Sequence, residues 1–70
     1  MEEEYWGRRI RAFRKLKGYT QRELAEKIHV SVSVLGEIER GNRLPTRKIL
    51  MDIARVLDIE LEEIVTYKKN

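Results

Sequence analysis

Histidine occurs once in this sequence, at His29, and cysteine does not occur at all. A zinc or copper centre needs several nitrogen or sulfur ligands converging on one point. A lone histidine beside a predicted turn is better read as a turn residue than as a ligand. The carboxylates are no better placed for catalysis. Glu37 and Glu39 stand two residues apart, and on a helix such positions do not face the same way. There is no glycine-rich phosphate loop and no Ser/His/Asp grouping, so no catalytic residue, metal or cofactor is assigned. Trp6 and Phe13 fall at helical spacing and read as core rather than as a platform for stacked bases.

The cations are the side chains with chemistry to offer. Residues 8–55 hold thirteen of the fifteen Lys and Arg against five acids, a net charge of +8, while residues 1–7 carry −3 and residues 56–70 carry −2. A basic body between acidic ends suits a polyanion-binding surface. The sequence opens MEEE, unlike the basic start of a signal peptide, and no apolar run approaches the ~18 residues of a membrane span. A cytoplasmic protein with no membrane contact is the expectation. Seventy residues allow one domain, 1–70, able to bury only about 60% of its unfolded surface.

The elements that position these cations are helical. Trp6, Ile10 and Phe13 recur at i, i+4 and i+7 and predict an amphipathic helix over 5–17, closed by Gly18 in the left-handed conformation. Thr20-Gln21-Arg22-Glu23 is a capping box, the Thr and Glu side chains each satisfying an amide at a helix start. Leu24, Ala25 and Ile28 form the stripe of that short second helix. Pro45-Thr46 starts another helix, with Ile49, Leu50, Ile53, Ala54 and Leu57 inward. After Asp58-Ile59, Leu61, Ile64 and Val65 suit a short last helix.

Residues 30–34, VSVSV, alternate as a half-buried strand would. No partner strand exists in the sequence, however, and Ser31 is a good helix cap, with Val30 and Leu35 spaced as a hydrophobic staple. The helix reading prevails. Leu35 and Ile38 then point inward, and Ser33, Gly36, Glu37 and Arg40 lie opposite them, with Val32 and Val34 on the flanks. Two short helices joined by a tight turn, with small Ala25 at their contact, form a helix-turn-helix, whose second helix enters the DNA major groove.

The run Gly18-Tyr19-Thr20-Gln21, then Glu23-Leu24-Ala25, Val30-Ser31, Ile38-Glu39-Arg40-Gly41, Pro45, Ile53-Ala54 and Leu57 closely resembles the Cro/cI-type helix-turn-helix family, also called the XRE family. The resemblance covers residues 10–65, with the motif at 21–40. It implies an all-α, five-helix, lambda-repressor-like bundle that regulates transcription as a dimer on double-stranded DNA. It further implies that Gln21 meets a backbone phosphate and that Val32, Ser33 and Glu37 face base edges. Arg40, Asn42 and Arg43 would hold phosphates, with Arg43 able to reach a minor groove. Arg14 and Glu39 match a structural ion pair of the family. This sequence departs from the family at His29, where glycine is usual, and at Asp58 and Glu60, which replace Gly and Ser.

Two functions follow. The first is a DNA-binding regulator, a repressor or autoregulator, that pairs through its last helix using Ile59, Ile64, Val65 and Tyr67. The second is a protein-interaction module on the same fold, an antitoxin or coactivator-like adaptor, whose partner meets the acidic edge at Glu60, Glu62 and Glu63.

Overall fold

The computed structural model describes residues 2–65, with side chains from Trp6 onward. Five helices follow in order: α1 (Glu2–Leu16), α2 (Gln21–Lys27), α3 (Val32–Glu39), α4 (Arg47–Leu57) and α5 (Leu61–Val65). There is no strand among the described residues, and residues 32–39 are helical, so alternation alone did not decide the segment. The first helix begins three residues before the predicted position 5. Acidic residues at a helix start are favoured by the helix dipole, so the helix runs on through them.

Each start is chemically marked. Thr20 Oγ1 accepts from the Glu23 amide at 3.0 Å while Glu23 Oε1 accepts from the Thr20 amide at 2.9 Å. Ser31 Oγ accepts from the Val34 amide and Thr46 Oγ1 from the Ile49 amide, both at 3.1 Å. Glu63 performs the second half of a capping box at α5, accepting from the Glu60 amide at 3.1 Å.

The stops share one device. Helices α1 to α4 each close by a Schellman pair of hydrogen bonds, one spanning six residues and one spanning four. The wider bonds are Tyr19 N to Arg14 O, Val30 N to Ala25 O, Asn42 N to Glu37 O and Ile59 N to Ala54 O, all between 2.9 and 3.0 Å. The residue that turns the chain has positive φ in every case: Gly18 at 86°, His29 at 61°, Gly41 at 82° and Asp58 at 58°. Histidine and aspartate therefore do take the left-handed geometry at the two positions where glycine is absent. Tyr19, Val30 and Ile59, which follow three of these turns, pack against the core.

That core comprises Ile10 from α1, Leu24, Ala25 and Ile28 from the α2 segment, and Leu35 and Ile38 from α3. Leu50, Ile53, Ala54 and Leu57 of α4 and Ile64 of α5 complete it. Ile64 is fully enclosed, which removes it from the apolar set expected to form a dimer surface. Ile59 and Val65 stay half-buried at the rim, and Tyr67 lies outside the described residues.

Gly7 determines how α1 meets α3. A Cβ placed there would overlap the Ile38 carbonyl oxygen and stand 2.8 Å from that of Glu39. The two helices thus touch backbone to backbone. Helix propensity favours Gly7→Ala by about 0.5–1 kcal/mol, whereas forcing an atom into a filled site costs about 1–3 kcal/mol. We expect Gly7→Ala to lower stability by about 0.5–2 kcal/mol net in urea unfolding. An unchanged midpoint would show that α1 can lift away at no cost.

On the outer face of α4, Asp52 accepts from Lys48 Nζ and Arg55 Nη2, each at 2.9 Å. The Lys48 bond first, and the Arg55 bond second, hold its carboxyl below the usual Asp range. A lowered folded-state pKa contributes stability above the unfolded-state pKa, and the contribution is lost as pH falls through the folded value. Urea midpoints of Asp52→Asn and the wild type should therefore differ near pH 6 and converge towards about pH 2. A gap of constant size across that range would remove Asp52 ionisation from the stability of α4.

Candidate nucleic-acid interface

The site is built around α3. Its inner face, Leu35 and Ile38, is buried, and Ala25 of α2 is buried with them. The Ser31 cap and the left-handed His29 set the turn that aims the first turn of α3 outward. Val32, 39% accessible, and Ser33 stand exposed there.

At the other end of α3 the chain folds back. Gly41, with φ 82°, reverses direction, and the Asn42 amide bonds the Glu37 carbonyl at 2.9 Å. Arg43 thereby returns over the helix, and its Nε donates to Glu37 Oε1 at 2.7 Å. The sequence reading gave these two residues separate tasks; the structure joins them in an ion pair that stays open to solvent. One carboxylate oxygen of Glu37 is oriented by Arg43, leaving its partner to accept from another donor.

Beneath this surface lies a buried polar cluster. Arg14 and Glu39 are 6% and 4% accessible. Arg14 Nε donates to Glu39 Oε2 at 2.7 Å and Nη2 to Oε1 at 3.1 Å, the bidentate geometry natural to a guanidinium and a carboxylate. Arg14 Nη1 also donates to the Tyr19 carbonyl at 2.8 Å, and Gln21 Nε2 to Glu39 Oε1 at 2.9 Å. The cluster ties α1, the turn after it, the start of α2 and the end of α3 together. Among the described residues no buried side-chain polar atom lacks a partner. The Gln21 amide, assigned by resemblance to a phosphate, has one of its two N–H groups committed to Glu39.

Gly36 departs from its expected outward position, for it is buried. Arg40 Nη1 lies 3.1 Å and Gln21 Nε2 3.9 Å from the place a Cβ would occupy. Having no side chain, Gly36 is covered by its neighbours, and Arg40 folds across it beside Gln21. Arg40, Asn42 and Gln21 then share an open groove of about 830 Å³ with residues of α1.

The sequence model of the helix-turn-helix family matches residues 10–64. This chain belongs to the helix-turn-helix family. It is 61% identical over 69 residues to the uncharacterised HTH-type transcriptional regulator YazB of Bacillus subtilis, covering 99% of this chain and all of that protein. Identity to the HTH-type transcriptional regulator SinR of Bacillus subtilis is 40% over 63 residues, 89% of this chain, and spans 57% of SinR. The crystal structure of SinR, master regulator for biofilm formation, in complex with DNA superposes with a TM-score of 0.76 at 41% identity. It covers 81% of this chain and 92% of that one.

Within this helix-turn-helix, α2 and α3 are the paired helices and α1 is their buttress. Sequence reasoning missed Gly7, Gly36 and the Gln21 bond to Glu39. Glycine inside a helix was the available signal for the first two, because it costs stability unless close packing repays it. Of the buried pair, Arg14→Leu should cost about 3–5 kcal/mol by stranding a buried charge. A 70-residue helix-turn-helix has only about 4–10 kcal/mol in total, so this variant should lose a large share of its stability and melt well below the wild type. Arg14→Leu/Glu39→Leu should recover most of the loss, since a buried pair exchanged for apolar groups is often neutral. Circular-dichroism melts compare the two, and a double variant no better than the single would overturn this account.

Proposed function

We propose that this chain is a sequence-specific, double-stranded DNA-binding transcriptional regulator, a repressor or autoregulator, acting as a homodimer in the cytoplasm. The observation that carries the reading is α3: capped, buried on one face, and presenting small side chains at its exposed first turn. Such an end fits a major groove, where the N-terminal residues of a recognition helix meet base edges. The basic body around it and the likeness to SinR bound to DNA support the same view. The working unit is residues 10–65, and its task is binding rather than catalysis.

In this reading Val32 gives an apolar contact, for instance to a thymine methyl, Ser33 a hydrogen bond, and Glu37 an acceptor for a cytosine amino group. Arg43 holds the Glu37 carboxylate and offers its remaining N–H groups to phosphate. Arg40, Asn42 and the second N–H of Gln21 supply further phosphate contacts. A single module buries only about 600–1,000 Å² on DNA, which favours two copies on a two-fold site. With Ile64 in the core, Ile59 and Val65 remain of the expected pairing surface among the described residues, and the half-buried Leu61 adjoins them in sequence.

Selection from a random duplex library at about 150 mM salt suppresses purely electrostatic binding. It should enrich a two-fold sequence with half-sites about one helical turn apart. No enrichment, with binding at low salt only, would overturn the reading and favour a protein-binding module that uses the acidic edge at Glu60, Glu62 and Glu63. On an enriched site, Glu37→Gln should alter preference at one base pair per half-site by about 1–3 kcal/mol with little change in stability. Preference identical to wild type would take Glu37 out of base reading.

A further inference from the structure

Arg11 and Lys15 of α1 have no part in the interface described so far. Both are exposed, and with Arg8 they fall at i, i+3 and i+7, one face of the helix. That face lines the groove of about 830 Å³, and Arg40 and Asn42 line the same groove. Ala12, small and exposed between the cations in sequence, lines it too. Glu39 is the acid lining the groove, and its charge is already matched by Arg14 at 2.7 Å. Among the described residues that line it, the groove therefore gathers cations around a single acid, and that acid is already paired with Arg14.

From this we infer that α1 is a third DNA-contacting helix, its Arg11 and Lys15 gripping backbone phosphates just outside the base pairs read by α3. The inference rests on the reading of the chain as a duplex-binding protein. Continuity selects the occupant: Arg40 and Asn42 hold phosphates at the end of α3, and the same groove carries the strand onward past α1. Contacts of this kind position the protein and add affinity without discriminating sequence. They also lengthen the bound site beyond the bases that α3 can reach.

The test uses the full chain and the double variant Arg11→Ala/Lys15→Ala, with binding to a random-sequence duplex of about 30 base pairs followed by fluorescence anisotropy. Each phosphate contact contributes about 0.9 to the slope of log K against log salt. The variant should therefore lose nearly 2 from the slope per bound protomer. Between about 50 and 200 mM salt the wild type should lose roughly tenfold more affinity than the variant. Arg11→Lys/Lys15→Arg, which keeps both charges, should retain the wild-type slope, and an equal urea midpoint for all three proteins establishes that the fold is intact. On the site recovered by selection, the base preferences of the double variant should match the wild type. A wild-type slope in the double variant, or a changed base preference, overturns the role of α1 while leaving α3 as the reading helix. A wild type that binds no duplex even at the lowest salt overturns the DNA-binding reading itself.

Discussion

The Arg14 and Glu39 pair is the interaction on which the rest of the interface depends. Burying two ions is costly, and their attraction offsets that cost only when geometry is good and the remaining donors and acceptors are satisfied. Here they are satisfied by groups that define the motif: Gln21 at the start of α2 and the Tyr19 carbonyl in the turn before it. Glu39 closes α3, so the pair fixes that helix at its C-terminal end while the Ser31 cap defines its N-terminal end. An apolar substitute would pack as well but would not select one rotation of the helix, because dispersion is indifferent to direction and a bidentate ion pair is not.

The four Schellman closures complement this. Short helices have little intrinsic stability in water, and α2, α3 and α5 are between five and eight residues long. Ending each of the first four on a left-handed residue satisfies the last carbonyls, and at three of them it also delivers an apolar side chain to the core. Closure and packing are therefore one event. At the end of α3 the same closure returns Arg43 to Glu37, so a stability device also shapes the exposed surface.

Much of this is legible in the sequence because it is written locally. Thr20 with Glu23, Ser31, Thr46, Gly18 and Gly41 mark starts and stops by short-range chemistry, and the apolar spacing of α4 needs no tertiary information. The strand-like alternation of residues 30–34 gives way because a cap and a staple are specific, whereas alternation without a partner strand has nothing to pair with. What stays hidden is what depends on two distant segments meeting. Gly7 is 31 residues from Ile38 in the sequence, and nothing near it announces a carbonyl oxygen in its path. Glu37 and Arg43 are separated by a helix end, so helical spacing cannot relate them; only the left-handed turn at Gly41 does. The angle of Gly36 on the helix points it outward, but periodicity gives direction and not what a neighbouring arginine will cover.

Contact at Gly7 through carbonyl oxygens has a further meaning for how such a protein can change. Where helices meet through side chains, exchanging one core residue for another of similar volume lets them roll and slide by small amounts. At Gly7 itself no side chain intervenes between α1 and the end of α3, so there is no such slack at that point of contact. The crossing of these helices is set by main-chain geometry and is insulated from drift in the rest of the core. The outward residues of α3 are then free to vary without disturbing the pose in which they are presented. On the proposed reading of α3 as the base-reading helix, specificity and posture would then be inherited separately.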